Sequence, residues 1–217
     1  MAKRAILLGA TGLTGGYLLN MLIENSAFDR IILLNRNSIE REHPKVEEHI
    51  ADLLKLKEYE SIVKGDVLFC CIGTTKAKTR DKEKYRTIDY GIPVSAARLA
   101  RENGVETFIV LSAMGASVNS NVFYNRTKGE MEREVLAQKI TNTYVLRPSL
   151  IGGTRKESRP GEQFAKIVMR LFGFLVPKKY KIIRPETIAK AMLKLALGAD
   201  SKSIISSDEI KKIAADD

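Results

Sequence analysis

The stretch that decides the fold lies at the start of the chain and reads Ile6-Leu7-Leu8-Gly9-Ala10-Thr11-Gly12-Leu13-Thr14-Gly15-Gly16. An apolar run, three spaced glycines and leucines at helical spacing predict a buried strand, a tight turn and a helix. The glycines let backbone N–H groups approach a pyrophosphate, which the N-terminus of the helix attracts. The stretch therefore predicts a dinucleotide site; the alternative is a tight turn that binds nothing.

Apolar runs alternate with amphipathic segments downstream of this turn. Strands are predicted at 4–8, 30–34, 49–51, 66–73, 107–111 and 143–146, and helices at 53–63, 85–103 and 122–139. This alternation is typical of an α/β protein with a doubly wound parallel sheet that is covered by helices on both faces.

The alternation is predicted to stop beyond Pro148. A loop through residue 161 is followed by predicted helices at 163–172 and 185–197. We expect a single domain over residues 1–217, in which residues 149–217 contribute most of a small helical substrate lobe. The apolar residues 171–177 are interpreted as packing in this lobe, in preference to a membrane or dimer patch.

Composition limits the class of protein. The chain has 217 residues and a formal net charge of +10, but acidic and basic residues are mixed, and no basic stripe with interleaved aromatic residues indicates nucleic acid. No apolar run approaches the ~18 residues that a membrane span needs, so we expect no stable membrane insertion. The start of the chain does not read as a signal peptide, and a cytoplasmic location is the prediction. A homo-oligomer is compatible with the sequence.

Cysteine and histidine are too few to suggest a disulfide or a metal site. The only cysteines, Cys70 and Cys71, are adjacent in a predicted strand, so their side chains point to opposite faces. The only histidines are His43 and His49, in a charged connecting segment. No metal is expected.

The residues that follow the predicted strands are the candidates for ligand binding, because parallel sheets bind ligands at the carboxyl ends of their strands. In chain order the candidates are Gly9 to Gly15, Asn35, Arg36, Asp52, Leu53, Gly73, Thr74, Ser112 and the segment after Arg147. Arg36 stands where NAD-binding sheets usually have an acidic residue for the ribose 2′-hydroxyl. A guanidinium suits a 2′-phosphate, so NADP(H) is preferred and NAD(H) is the less favoured cofactor.

A second constellation lies after the fifth predicted strand. Of the seven tyrosines, only Tyr124 has a lysine four residues later, Lys128. This spacing places both side chains on one helix face, where the ammonium would lower the pKa of the phenol toward working pH. Ser112, at the end of the strand, is positioned to hold a substrate carbonyl.

Together these residues resemble the short-chain dehydrogenase/reductase superfamily, which has an NAD(P)-binding Rossmann fold. Finer features resemble an atypical branch, the Tat-interacting-protein-like oxidoreductases. They are the strings Leu111-Ser112-Ala113-Met114-Gly115-Ala116, Lys128-Gly129-Glu130, Arg147-Pro148 and Glu157-Ser158-Arg159-Pro160-Gly161-Glu162.

The resemblance implies roles for individual residues. Gly9, Thr11, Gly12, Leu13, Thr14 and Gly15 would bind the cofactor, and Pro148, Leu150 and Ile151 would line the nicotinamide site. Ser112 would polarise a carbonyl, Tyr124 would donate its proton, and Lys128 would lower the tyrosine pKa and bind the ribose. Asp89 departs from the superfamily, which commonly has an asparagine in this helix; the departure puts the usual proton relay in doubt.

The sequence therefore predicts an NADP(H)-dependent oxidoreductase that transfers a hydride between nicotinamide and a small carbonyl or alcohol substrate. The alternatives are an NADP(H)-binding sensor without turnover and, ranked lower, an epimerase or dehydratase. Arg155, Lys156 and Arg159 could attract an anionic substrate, but the sequence does not identify it.

Overall fold

Seven parallel strands form one sheet in the computed structural model, which describes residues 2–74, 79–152, 181–198 and 201–215. The strands are β1 (Lys3–Leu8), β2 (Phe28–Asn35), β3 (Val46–Ile50), β4 (Val67–Cys70), β5 (Thr107–Leu111), β6 (Asn142–Arg147) and β7 (Ile204–Ser206). Their order across the sheet is β3-β2-β1-β4-β5-β6-β7. The predicted doubly wound parallel sheet is confirmed.

Helices connect these strands. In the described ranges they are α1 (Leu13–Glu24), a 3₁₀ helix (Leu53–Tyr59), α2 (Lys82–Arg86), α3 (Ile92–Glu102), α4 (Phe123–Leu136), α5 (Pro185–Ala196) and α6 (Ser207–Ala215). A wide π turn at Thr87–Gly91 joins α2 directly to α3. The segment predicted as one helix over 85–103 is thus helical but widened in its first half.

The sheet is buried on both faces because its strands carry apolar residues at consecutive positions. In β1, Ala5 and Leu7 pack with α1, α5 and α6 on one face. Ile6 and Leu8 pack with the 3₁₀ helix, α3 and α4 on the other. This two-sided burial explains why the strands read as continuous apolar runs.

The order of the strands reverses next to β1. The chain proceeds outward from β1 through β2 to β3, and then returns to place β4 on the other side of β1. Ligands of such sheets bind at this switch point, outside the carboxyl ends of the strands. The glycine turn after β1 and the Gly73-Thr74 segment after β4 both lie there.

The prediction that the alternation stops beyond Pro148 is wrong. Helix α5 packs on α1, and β7 pairs in parallel with β6, so residues of the predicted lobe extend the sheet. Strand β7 is only three residues long, too short to show a periodic pattern. The loop predicted through residue 161, the helix at 163–172 and the apolar residues 171–177 lie outside the described residues.

Candidate functional site

The glycine turn brings the N-terminus of α1 against the end of β1. Gly9 has a φ of +91°, which favours glycine. A β-carbon on Gly15 would lie 2.0 Å from the Gly9 carbonyl oxygen, so only glycine allows this close packing of helix on turn. Thr14 is buried, Leu13 is half-buried, and Thr11 and Gly12 are exposed.

The N-terminus of α1 fits a phosphate group. Its N-cap is Gly12, which has no side chain to cap the first N–H groups, and the first turn holds no acidic residue. The first N–H groups of a helix need an external partner, and the helix dipole favours an anion there. The residues present therefore suit the pyrophosphate of a dinucleotide.

The segment after β2 is held by a carboxylate from β3. Glu48 accepts hydrogen bonds from Asn35 Nδ2 at 2.9 Å, Ser38 Oγ at 2.6 Å and the Ile39 N–H at 3.0 Å. Burial raises the pKa of Glu48, but these hydrogen bonds outweigh it and hold the pKa below its usual range. Asn35 is buried and Arg36 is exposed immediately after it. Glu48 was not predicted from the sequence, because its pairing with residues 35–39 depends on strand register.

Asp52 and Leu53 lie at the carboxyl end of β3. The Asp52 carboxylate accepts from the Leu54 N–H at 3.0 Å and caps the 3₁₀ helix. Leu53 packs its side chain in the core below the sheet edge. Asp52 is exposed, whereas the Leu53 side chain is committed to the core.

The segment after β4 lies against an ion pair. A β-carbon on Gly73 would lie 3.5 Å from Asp89 Oδ1 and 4.0 Å from Lys128 Nζ. The Thr74 N–H donates to Asp89 Oδ2 at 2.7 Å. Gly73 and Thr74, which were candidates because they follow a strand, thus lie close to Lys128 in the structure. Lys76, which follows the same strand, lies outside the described residues.

Lys128 is buried at the end of β5. Its Nζ lies 3.0 Å from Asp89 Oδ1 and donates to the Leu111 carbonyl oxygen at 3.3 Å. Burial lowers the pKa of Lys128, but the charge and hydrogen bond of Asp89, together with Tyr124, raise it above its ordinary value. Lys128 is therefore a charged lysine held at a fixed place beside Ser112.

Tyr124 lies one turn before Lys128 in the first turn of α4. Its side chain is 38% exposed. Its ring meets the edge of the buried Tyr85 ring, with the centroids 6.2 Å apart. Aromatic contacts of this kind restrict the orientation of a ring. The phenol is thus accessible to a ligand while its ring rests on the α2 side of the site.

Ser112 makes a contact that the sequence analysis did not predict. Its hydroxyl is buried and donates to Glu132 Oε1. Glu132, on α4, also accepts from Arg147 Nε at 2.9 Å, at the end of β6. Ser112 lies next to Leu111, which contacts Lys128, but its hydroxyl is bonded to a carboxylate.

The segment after β6 runs beside the chain near residue 183. The Pro148 carbonyl accepts from the Met114 N–H at 3.0 Å, and Ile151 forms a parallel bridge with Ile183. Leu150 is 38% exposed. The basic residues Arg155, Lys156 and Arg159 and the string from Glu157 to Glu162 lie outside the described residues.

The described residues contain neither a cluster of metal ligands nor a membrane-spanning helix. No group of three His, Cys, Asp or Glu side chains there could hold a metal ion. None of the helices in those ranges is long and apolar enough to cross a membrane.

Comparisons with known proteins identify the family of the chain and its fold. A family model described as NAD(P)H-binding matches residues 9–152. Protein HTATIP2 of Rattus norvegicus is 34% identical over 177 residues, which are 80% of this chain and 72% of that protein. The protein fmp52, mitochondrial, of Aspergillus niger is 32% identical over 206 residues, 89% of this chain and 86% of that protein.

Solved structures share the fold. UDP-glucose 4-epimerase from Thermotoga maritima superimposes with a TM-score of 0.70 at 15% identity, over 97% of this chain and 81% of that one. ADP-L-glycero-D-manno-heptose-6-epimerase from Helicobacter pylori gives 0.69 at 17% identity, over 98% and 81%. At these identities the likeness concerns the fold alone.

The cytoplasmic location predicted from the sequence is contradicted by the relatives, several of which are named mitochondrial proteins. That prediction depended on the start of the chain not reading as a signal peptide, which is weak evidence about compartment. The match to the NAD(P)H-binding model, the two relatives and the Rossmann-type sheet lead to one conclusion. The chain is a dinucleotide-binding protein that belongs to the atypical short-chain dehydrogenase/reductase branch of HTATIP2 and FMP52.

Proposed function

We propose that this protein is an NADP(H)-dependent oxidoreductase that interconverts a small carbonyl compound and its alcohol. The observation that carries the proposal is the arrangement of α4, which presents an accessible phenol at Tyr124 one turn from a buried charged lysine. A phenol and an ammonium on adjacent turns form an acid/base unit. A protein that only binds a nucleotide has no need of such a unit.

The preference for NADP(H) rests on Arg36. This exposed residue directly follows β2, where its guanidinium suits a 2′-phosphate. Asn35 and the 36–39 segment are held by Glu48, whose carboxylate is fully engaged by hydrogen bonds.

Each of the remaining residues has a role in the proposed reaction. When bound, NADP(H) supplies or accepts the hydride. Gly9, Gly12 and Gly15 bring the first N–H groups of α1 to the phosphates, and Gly73 and Thr74 continue the floor of the site. Pro148, Leu150 and Ile151 form its far wall. Tyr124 gives a proton to the carbonyl oxygen or takes it back, and Lys128 stabilises the phenolate.

Ser112 is proposed to polarise the substrate carbonyl. Its hydroxyl donates its hydrogen bond to Glu132, so contact with a carbonyl oxygen requires the hydroxyl to turn away from that carboxylate. This contact is the specific observation that favours the second candidate function, an NADP(H)-binding sensor without turnover.

Turnover of a panel of small aldehydes and ketones with NADPH separates these two functions. We expect Tyr124→Phe to lower kcat by about 10²- to 10⁴-fold without changing the free energy of unfolding. Tyr17→Phe is the matched control, because Tyr17 is 41% exposed but lies on α1, across the sheet. Absence of turnover across the panel with intact NADPH binding would favour the sensor instead.

Binding of NADPH and NADH, followed by nicotinamide fluorescence, tests the cofactor. Arg36→Glu should weaken NADPH binding by at least about tenfold, since only NADPH carries the 2′-phosphate, and should leave NADH binding unchanged or stronger, since a carboxylate at this position can accept from the ribose 2′-hydroxyl. Arg98→Glu makes the same charge change at an exposed position on α3 and controls for the net charge of the protein. Equal NADPH binding by wild type and Arg36→Glu would reject the assignment.

A further inference from the structure

Asp89 is the most completely buried acidic residue of the site, with 0% of its surface exposed. It lies in the wide turn Thr87–Gly91. One of its carboxylate oxygens accepts a hydrogen bond and the other lies in an ion pair. Oδ2 accepts from the Thr74 N–H at 2.7 Å, and Oδ1 lies 3.0 Å from Lys128 Nζ. Wide turns of this kind are frequent at functional sites.

This one carboxylate joins three parts of the molecule. Thr74 belongs to the segment after β4, Asp89 to the turn between α2 and α3, and Lys128 to α4. Lys128 Nζ also donates to the Leu111 carbonyl at the end of β5. The lysine head group is thus fixed by one charged and one neutral acceptor.

The charges around Lys128 make Asp89 its principal counter-ion. The titratable groups that face it are Asp89, Tyr124 and Cys70. Burial raises the pKa of the Cys70 thiol to about 11, so it is neutral near pH 7. Tyr124 is neutral whenever it carries the proton it is proposed to donate. A lysine only 3% exposed would lose charge without a carboxylate partner.

We propose that Asp89 is a positioning residue of the reaction, which holds the Lys128 ammonium beside Tyr124 and couples it to the Gly73-Thr74 segment of the cofactor site. Its effect on turnover rests on the proposed oxidoreductase function. Asp89 differs in effect from the asparagine that is common in this helix of the superfamily, because its carboxylate carries the charge that keeps a buried lysine protonated.

Carbon-13 NMR of the lysine side chains tests the charge directly, without any turnover. Comparison with Lys128→Met assigns the Lys128 signal. In the wild type we expect a pKa above the ~10.4 of an exposed lysine; a lower value would overturn the proposal. In Asp89→Asn the pKa should fall by about 1 to 3, while Asp89→Glu, which keeps the charge, should retain most of the effect. The wild-type measurement decides even where a variant does not fold.

Glu132→Gln is the matched control for this titration. Glu132 is a second buried carboxylate contact of α4, but its partners are Ser112 and Arg147. The pKa of Lys128 should therefore be unchanged in Glu132→Gln. An equal fall in both variants would show a general loss of structure and would count against a specific role of Asp89.

The pH dependence of kcat tests the consequence for the reaction. If charged Lys128 is needed, kcat of Asp89→Asn should decline at a lower alkaline pH than kcat of the wild type. KM should be nearly unchanged. In the Lys128→Met background, Asp89→Asn should cause no further loss of kcat. Superimposable profiles would overturn the positioning role. If no substrate turns over while the Lys128 pKa falls as expected, the proposed function fails and the assignment of Asp89 to Lys128 stands.

Discussion

Two ion pairs lie one helical turn apart on α4, and they differ in their access to water. In the first pair the side chains of Lys128 and Asp89 are 4% and 0% exposed. In the second, Glu132 is 4% exposed but its partner Arg147 is 31% exposed. The helix supplies the cation to one pair and the anion to the other. Only in the second pair can one side chain, Arg147, be solvated when its partner is removed.

The two pairs hold consecutive residues at the end of β5. Lys128 Nζ donates a hydrogen bond to the Leu111 carbonyl, and Glu132 accepts one from the Ser112 hydroxyl. The carboxyl end of this strand is therefore held from α4 at two successive positions. A buried ion pair can thus hold a functional group in place, as Asp89 holds Lys128. It can also take up the hydrogen bond of a functional group, as Glu132 does with the Ser112 hydroxyl.

Removing the carboxylate from each pair tests most directly whether access to water makes the two pairs differ. Asp89→Ala leaves Lys128 buried without a counter-ion and should lower the free energy of unfolding by about 3–5 kcal/mol. Glu132→Ala leaves Arg147, which can reach water, and should cost about 1–3 kcal/mol. Urea unfolding followed by circular dichroism measures both. An equal or reversed order would show that water access does not distinguish the pairs.

Much of the fold was predictable from the sequence, because buried parallel strands appear as apolar runs and the glycine turn has a known geometry. The strand at Thr107–Leu111 was predicted to the residue. Helix α6 was missed although it had a signal. Ser206 and Glu209 have the spacing of a capping box before Ile210, and one half of it is formed, because the Ser206 N–H donates to Glu209 Oε2 at 2.8 Å.

The site was predictable only in part. The spacing of Tyr124 and Lys128 on one helix face is a local property that the sequence shows directly. The hydrogen bond from Lys128 Nζ to the Leu111 carbonyl at the end of β5 was not predicted. The ion pair with Asp89 depends on a wide turn that no residue pattern indicates. The contact of Ser112 with Glu132 joins residues 20 positions apart through packing of α4 on the sheet.

A methyl group between the two pairs should disturb both. Gly129 follows Lys128 in α4, and a β-carbon there would lie 2.3 Å from the Ser117 carbonyl carbon, which is backbone and cannot rotate away. Gly129→Ala should therefore lower the free energy of unfolding by about 1–3 kcal/mol.

Gly91→Ala is the control for this substitution in urea unfolding. A β-carbon on Gly91 would lie 3.8 Å from Thr87 Cγ2, an ordinary contact, so we expect no loss and a gain of up to about 1 kcal/mol. An unchanged free energy of unfolding in Gly129→Ala would mean that α4 can move away from the backbone at Ser117 without breaking either pair.

Removing the Ser112 hydroxyl separates its two roles. Ser112→Ala deletes the donor to Glu132 while Arg147 stays in place, so the free energy of unfolding should fall by about 1–2 kcal/mol. If the hydroxyl also polarises the carbonyl, kcat should fall by at least about tenfold with NADPH affinity unchanged. Unchanged turnover in a folded Ser112→Ala protein would assign the hydroxyl to the second ion pair alone.

An exposed ion pair should contribute least to the free energy of unfolding, and it serves as the reference for the two buried pairs. Glu209 Oε1 lies 2.8 Å from Lys202 Nζ, with side chains 31% and 67% exposed. Hydrogen bonds from Lys202 and Ser206 lower the pKa of Glu209 to about 2. Because the folded pKa lies below the unfolded one, this contribution is present above about pH 4.5 and is lost as the pH falls toward 2.

Glu209→Gln should thus cost only about 0.5–1 kcal/mol at pH 7, and its difference from wild type in urea unfolding should shrink at pH 3. Glu186→Gln, in the first turn of α5, removes an acidic charge at an equivalent helix position without the capping box and should show less change. A cost at pH 7 as large as that of Asp89→Ala would contradict the role assigned to burial. A difference that grows on acidification would contradict the lowered pKa of Glu209, because a protonated carboxyl and an amide carry the same charge.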